Sequence, residues 1–271
     1  RADLIVQAGP TLRFVHDRLR EAAYASIPRD ELPALHRRAA DELERRGVAP
    51  ADAGALAWHF ARAGDGPRAA RYFTLAGDHA RAAWAAREAI EHYQAAIEHL
   101  GAASDAVPRL RERVADLHEL LARNDDARAG FERCLAEVGA GRSAWRARLH
   151  RKRAKTFETE HRHAEAQRAY DAAMAALGEA PPTAGEAVGG PDHPTGSAAW
   201  WSEWVQVQIE RAWVHYWLAQ PGEMRALIER VAPVVEARGT AAQRSRFYLA
   251  IVHSELREGR YQIAAATRLA A

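Results

Sequence analysis

The sequence predicts an all-α chain organised as a solenoid of antiparallel helix pairs, with a short winged-helix remnant at the N-terminus. Three observations carry the helical reading. Alanine is abundant, and apolar residues recur at three- and four-residue spacing. From Leu32 to Leu177 there is no run of alternating β-branched residues of the kind that marks strands. A small–aromatic–small triplet occurs three times: Ala89, Tyr93, Ala96; Ala127, Phe131, Cys134; and Ala166, Tyr170, Ala173. The spacing is four then three each time, so each triplet lies on one helical face. The triplets start 38 and 39 residues apart, and twelve residues before each stands another small residue, Gly77, Ala115 or Ala154. Small residues there let two antiparallel helices approach closely while the aromatic fills the space beside them.

The elements follow in chain order. Leu4–Gln7 and Leu12–Val15 are the strand candidates, flanking Ala8-Gly9-Pro10-Thr11 as a hairpin turn. A helix capped by Asp17 or a neighbour runs through Tyr24, with Leu19, Ala23 and Ile27 facing the core. The paired helices follow to residue 179. Ala180–Ser197 holds four prolines and four glycines, which exclude a helix and predict a flexible linker. The next helix, Ala198–Ala219, carries an aromatic stripe of Val205, Ile209, Trp213 and Trp217, with Ala212 and Tyr216 beside it. It breaks at Pro221-Gly222 before a partner helix, Glu223–Arg238. Tyr248, Ile251 and Val252 belong to a further first helix, with Gly259-Arg260-Tyr261 and Ala264 as its turn. The expected organisation is therefore residues 1–30 as the end of a winged-helix module, 31–179 as repeats, 180–197 as linker and 198–271 as divergent repeats.

This pattern resembles the tetratricopeptide repeat (TPR) family, whose period is about 34 residues. Phe73, Ala76, Gly77 and Ala80 look like a first helix paired with Ala89, Tyr93 and Ala96. Val114, Ala115 and His118 precede the second triplet, and Ala154 and Phe157 the third. The large residue usual near the start of the first helix is Arg111 in one repeat and His150 in another, a departure that implies looser packing there.

Composition narrows the chemistry. A hydrophobic share of 48% over 271 residues suffices for a substantial core. The chain begins with Arg1 and its last helical pattern stops at RLAA, so it reads as a piece of a longer protein. No apolar run reaches the length of a membrane span and no signal-peptide pattern is present; with a single cysteine, a cytoplasmic location is the expected default. Cys134 is the single cysteine, which excludes an internal disulfide and a cysteine-rich zinc site. Net charge of +2 gives no global pull toward nucleic acid. Lys152 and Lys155 are the only lysines, and neither stands in Gly-x-x-x-x-Gly-Lys-Ser/Thr, so no ATP site is expected in this chain. The best histidine cluster, Glu158 to His163, lacks His-Glu-x-x-His, and a solvated turn explains it. Aromatics at helical spacing in the stripe read as core, whereas Trp200, Trp201 and Trp204 diverge around the helix and some of them face a neighbouring repeat or a partner.

Phe14-Val15-His16-Asp17 raises the question of a catalytic His–Asp pair. It has no nucleophile: no Gly-x-Ser-x-Gly motif occurs, and Cys134 occupies a small core position. The same residues, followed by Glu21-Ala22-Ala23-Tyr24 and Leu35-His36-Arg37-Arg38, resemble the junction between the winged-helix part and the helical arm of signal-transduction ATPases with numerous domains (STAND). Leu56-Ala57-Trp58-His59-Phe60, Ala63-Gly64 and Tyr72 to Asp78 resemble the start of that arm. The resemblance covers roughly residues 12–100. It implies a non-catalytic sensor arm contacting an upstream ATPase. ATP and Mg²⁺ belong to that missing part, and no cofactor is expected here.

By the TPR resemblance, the first helices line a groove that includes Arg71, Asp78 and Arg81, then Arg109, Glu112 and Asp116, then Arg148, Arg151 and Lys155. The last three are spaced three and four apart within Gly141–Lys155, a stretch of seven cations and no acid. The candidate partner-binding residues are Arg71, Arg81, Arg109, Arg148, Arg151 and Lys155. The expected ligand is a protein or peptide, acidic or phosphate-bearing. Nucleic acid is the less favoured partner, because only Trp145 stands among the arginines as a stacking platform. A free-standing adaptor is the alternative to the ATPase-linked arm.

Overall fold

The computed structural model describes residues 5–8, 11–101, 104–181 and 196–258. It opens with an antiparallel hairpin of β1 (Ile5–Ala8) and β2 (Thr11–Phe14), in which Ile5 pairs with Phe14 and Ala8 with Thr11. Helices follow: α1 (Asp17–Ala25), α2 (Leu32–Arg46), α3 (Ala53–Arg62), α4 (Gly66–Ala82), α5 (Ala86–His99), α6 (Ala106–Leu120), α7 (Asn124–Glu137), α8 (Ser143–Thr159), α9 (His163–Leu177), α10 (Gly196–Trp217), α11 (Pro221–Arg238) and α12 (Ala241–Glu258). The described residues form two compact units, Arg1–Leu110 and Arg111–Ala271, dividing within α6. The expected linker lies mostly outside the described residues. The helices on its two sides, α9 and α10, belong to the same unit and pack on each other. The expected turn at Gly259 to Tyr261 and Ala264 also lies outside the described residues.

One turn recurs between helices. Gly64, Trp84, Ala122, His161 and Ala219 all have φ between 55° and 75°. After each, the next residue's N–H reaches the carbonyl five positions back: Asp65 to Phe60, Ala85 to Ala80, Arg123 to His118, Arg162 to Phe157 and Gln220 to His215, at 2.8–3.0 Å. This Schellman-type closure satisfies helix-end carbonyls and reverses the chain within a few residues. It sets α3 against α4, α4 against α5, α8 against α9 and α10 against α11. Only the first of the five turns has glycine at the left-handed position, where a side chain costs about 1–2 kcal/mol per residue. Ala122 is exposed, so its methyl gains no packing in exchange. Ala122→Gly should therefore raise the unfolding free energy by about 0.5–1 kcal/mol, the relieved strain less glycine's added chain entropy. Urea denaturation reads the difference.

The triplets are the core. All nine residues, with Tyr93, Phe131 and Tyr170 at their centres, are fully buried. A Cβ on Gly77 would sit 2.6 Å from Tyr93 Cδ1 and Cε1, so α4 and α5 touch through a glycine and a ring. The ring cannot retreat freely, because its hydroxyl donates to Asp78 Oδ1 at 2.6 Å. Gly77→Ala should cost about 1–2 kcal/mol, the overpacking penalty less the gain in helix propensity. Tyr93→Phe in the same background frees the ring and should return part of that loss.

Two local expectations are corrected. The first strand lies one residue later and the second one residue earlier than expected, so Ala8 and Thr11 pair as strand residues and do not belong to the turn. In α1 no residue is buried: Ala23 is exposed and Leu19 and Ile27 are half-buried, so this helix does not face a core. Its N-cap is His16, which receives Leu19 and Arg20 N–H on its backbone carbonyl and makes no side-chain cap, nor does Asp17 supply one.

Candidate partner-binding site

The basic stretch forms α8, in the second unit. A 17-residue helix puts Arg148, Arg151, Lys152 and Lys155 on one side and the buried Trp145, Ala147, Leu149 and Ala154 toward its neighbours. The acids missing from the stretch itself come from the helices alongside. Glu112 of α6, 3% exposed, accepts from Trp145 Nε1 at 2.6 Å, Arg148 Nη2 at 3.1 Å and Lys152 Nζ at 2.7 Å. Lys152 also reaches both oxygens of Asp116 at 2.7 and 2.8 Å. On the other side Arg151 pairs with Glu203 and lies 3.6 Å from Glu210, both of α10. Lys155 pairs with Glu158 at 2.5 Å. Tyr170 of α9 joins the two ends, donating toward Glu158 and standing 3.0 Å from Glu210 Oε2.

Electrostatics follows from this packing. Burial pushes the Glu112 carboxyl up, but Lys152 and Arg148, with the hydrogen bonds from Lys152 and Trp145, hold it at about 2. Asp116 is raised by burial and by Glu112, which outweigh Lys152. Glu119, one turn further on α6, is raised by burial and by Asp116. Burial works against the Arg151 charge, yet Glu203 and Glu210 raise its pKa. Burial, with Glu210 and Glu158 beside it, raises the Tyr170 phenol well above its usual range. The face is thus a ladder of alternating sign, acidic α6, basic α8 and acidic α10, with the charges spent largely on one another.

The six residues named from the sequence separate accordingly. Arg71 and Arg81 belong to the first unit and are exposed, Arg71 lying 5.4 Å from the Tyr72 ring centroid. Arg109, half-buried, is on α6 within the first unit, and its Nε is a buried donor without a hydrogen-bond acceptor among the described residues. Arg148, Arg151 and Lys155 share a face as the spacing requires, but each has a carboxylate partner inside the chain. The stretch without an acid is not an unneutralised basic surface. Glu203, Glu210 and Tyr170 were not legible as its partners, because they stand 52, 59 and 19 residues from Arg151 in the sequence. The one available signal was the seven-residue spacing of Glu203 and Glu210, which sets both on one side of α10.

The aromatic stripe of α10 changes character along its length. Val205, Ile209 and Ala212 are buried, Trp213 and Tyr216 are half-buried, and Trp217 is 56% exposed, stacked on His163 with centroids 5.9 Å apart. Trp200 is buried and donates to the Leu177 carbonyl at 2.8 Å, with Trp201 and Trp204 packed around it against α9. Cys134 is buried, its thiol pushed up to about 12, chiefly by burial, which leaves it without a reactive thiolate. Among the described residues no group of three or more His, Cys, Asp or Glu could hold a metal ion, and no helix is long and apolar enough to cross a membrane.

Among solved structures the chain is similar to BtubC (BKLC) from P. vanneervenii, with a TM-score of 0.58 and 17% identity over 90% of both chains. It is also similar to a putative kinesin light chain from Podosopora anserina with nearly identical TPR-like repeats, with a TM-score of 0.52 and 13% identity over 74% of this chain and 92% of that one. The fold is TPR-like. No protein-family model matches the chain, and no curated protein matches it.

Proposed function

We propose that the chain is a non-catalytic protein-interaction arm that holds an extended segment of a partner across the first helices of its second unit. The observation that supports this most is the cross-linked face of α6, α8 and α10. It is polar and built from three helices, and it has half-exposed groups of both signs in Asp116 and Lys155, whose side chains are 41% and 37% exposed. Such a face suits a partner segment of mixed charge. A wholly acidic segment would have to draw Arg148 and Arg151 away from Glu112 and Glu203, and breaking buried pairs costs about 3–5 kcal/mol each.

Three extended fluorescent peptides test the reading by anisotropy: one of mixed charge, one acidic and one uncharged. The mixed-charge peptide should bind, more weakly at high salt, and lose about tenfold in affinity with Asp116→Asn combined with Lys155→Gln. Binding by the acidic peptide alone would contradict the sign argument, and binding by none of the three would contradict the site.

A second reading is favoured by the N-terminal residues. The junction motif runs from Phe14, the last residue of the β-hairpin, into α1, and Tyr24, His36 and His59 meet where that helix reaches the arm. Resting on the sequence resemblance of this junction, the reading is an arm attached to a STAND-type signalling ATPase and contacting it within the same polypeptide. The coding DNA upstream of Arg1 tests it: an in-frame P-loop lysine motif supports the reading, and an immediate start codon defeats it.

A further inference from the structure

We propose that the partner segment presents a lysine or arginine side chain to the α6 side of the face, at Asp116 and Glu119. This inference rests on the peptide-binding reading above and names the group that the face selects. Glu112, Asp116 and Glu119 are spaced four and three apart, so α6 lines the face with one stripe of carboxylates. The cations of α8 do not match them one for one. Arg148 and Lys152 serve Glu112, and Lys152 also holds Asp116. Arg151 turns to Glu203 and Lys155 to Glu158. Glu119 is left over. Among the described residues its carboxylate has no ion pair and no hydrogen bond, although Lys152, Lys155 and Arg151 lie near enough to act on it.

Glu119 is half-buried and the Asp116 side chain is 41% exposed, so a molecule lying along the face can reach both carboxylates. A charge taken partly out of water without a partner is unfavourable. The two carboxylates also repel: burial and then Asp116 raise the Glu119 pKa, and burial and Glu112 raise that of Asp116 against the pull of Lys152. A partner cation set against both relieves the burial and the repulsion together. A guanidinium can offer N–H groups to two carboxylates at once, and an ammonium has three donors. A partner carboxylate gains less. Of the α8 cations only Lys155 is half-exposed enough to meet it, and Glu158 already holds that ammonium at 2.5 Å. The sign of the selectivity is therefore opposite to the one that the composition of α8 suggests.

The test uses the full chain and a mixed-charge fluorescent peptide of lysine, glutamate and glycine, with two copies of it. One copy has every lysine replaced by glutamine, and the other has every glutamate replaced by glutamine. In anisotropy titrations the lysine-free copy should bind about tenfold more weakly than the parent, and the glutamate-free copy within about threefold of it. Glu119→Gln should weaken the parent about three- to tenfold and leave the lysine-free copy unchanged. The variant should unfold at no lower urea concentration than wild type, because a neutral amide replaces a carboxylate whose charge the fold disfavours. Loss of affinity without loss of stability marks a group that serves a ligand. Equal binding of the parent and its lysine-free copy, or wild-type affinity in Glu119→Gln, overturns the cation site and leaves the peptide face standing. A Glu119→Gln variant that loses affinity and stability together assigns Glu119 to the fold and overturns the cation site as well. No binding by the parent peptide overturns the face and the inference together.

Discussion

Replacing Glu112 with alanine is expected to lower the unfolding free energy by about 3–5 kcal/mol, among the largest losses available from a single side chain here. The carboxylate is 3% exposed and serves three donors, Trp145 Nε1, Arg148 and Lys152. Its removal takes a shared acceptor from two cations and an indole N–H in a site with little water access. The acid limb of stability carries the same signature. A carboxyl held at about 2 against an ordinary 4.5 contributes about 3 kcal/mol at neutral pH. That contribution is complete above pH 4.5 and is lost as pH falls toward 2. Asp116 and Glu119 work the other way, because raised carboxyl pKa values make their protonation favourable to the fold. Wild-type protein should hold or gain slightly in stability on acidification as these two titrate, then lose it steeply below pH 4.5. Glu112→Gln should flatten the steep limb and also weaken the shallow one, because Asp116 loses the Glu112 charge that helps raise it. Denaturant titrations at stepped pH separate the two.

Arg151→Leu is expected to cost about 3 kcal/mol. The leucine keeps most of the apolar stem, so the loss reports the guanidinium and not a cavity. Glu203 and Glu210, with side chains 12% and 5% exposed, would face each other's charge without it. The Tyr170 phenol, shared between Glu158 and Glu210, would remain but brings no positive charge. Combining Arg151→Leu with Glu203→Leu should restore part of the stability, because an apolar pair replaces a stranded charge.

The repeat was legible in the sequence because its core obeys local periodicity. Ala127, Phe131 and Cys134 announce their shared face within seven residues, and the whole triplet is buried. Gly77 was legible for a related reason: a small residue opposite a ring is a local demand of close packing. The turns were less legible. Trp84, Ala122, His161 and Ala219 occupy left-handed positions that no residue type there advertises, since the closing hydrogen bond fixes them and not side-chain chemistry. The helix α1 misled because Leu19, Ala23 and Ile27 have core spacing without a core beside them. The charged face misled most. A run of cations on α8 was visible in one stretch, while its counter-ions were scattered over α6 and α10, and pairing between distant helices leaves no mark on local composition. The sign of a surface is a tertiary property.

A double-mutant cycle on Arg151→Met and Glu203→Gln tests most directly whether the α8 cations are internal counter-ions. Unfolding free energies of the wild type, the two single variants and the double variant give their coupling. For a pair this buried the coupling should be about 2 kcal/mol, the two single losses together exceeding the loss in the double variant by that amount. A coupling within about 0.5 kcal/mol of zero would contradict the account and return Arg151 to the solvent as a free ligand for an acidic partner.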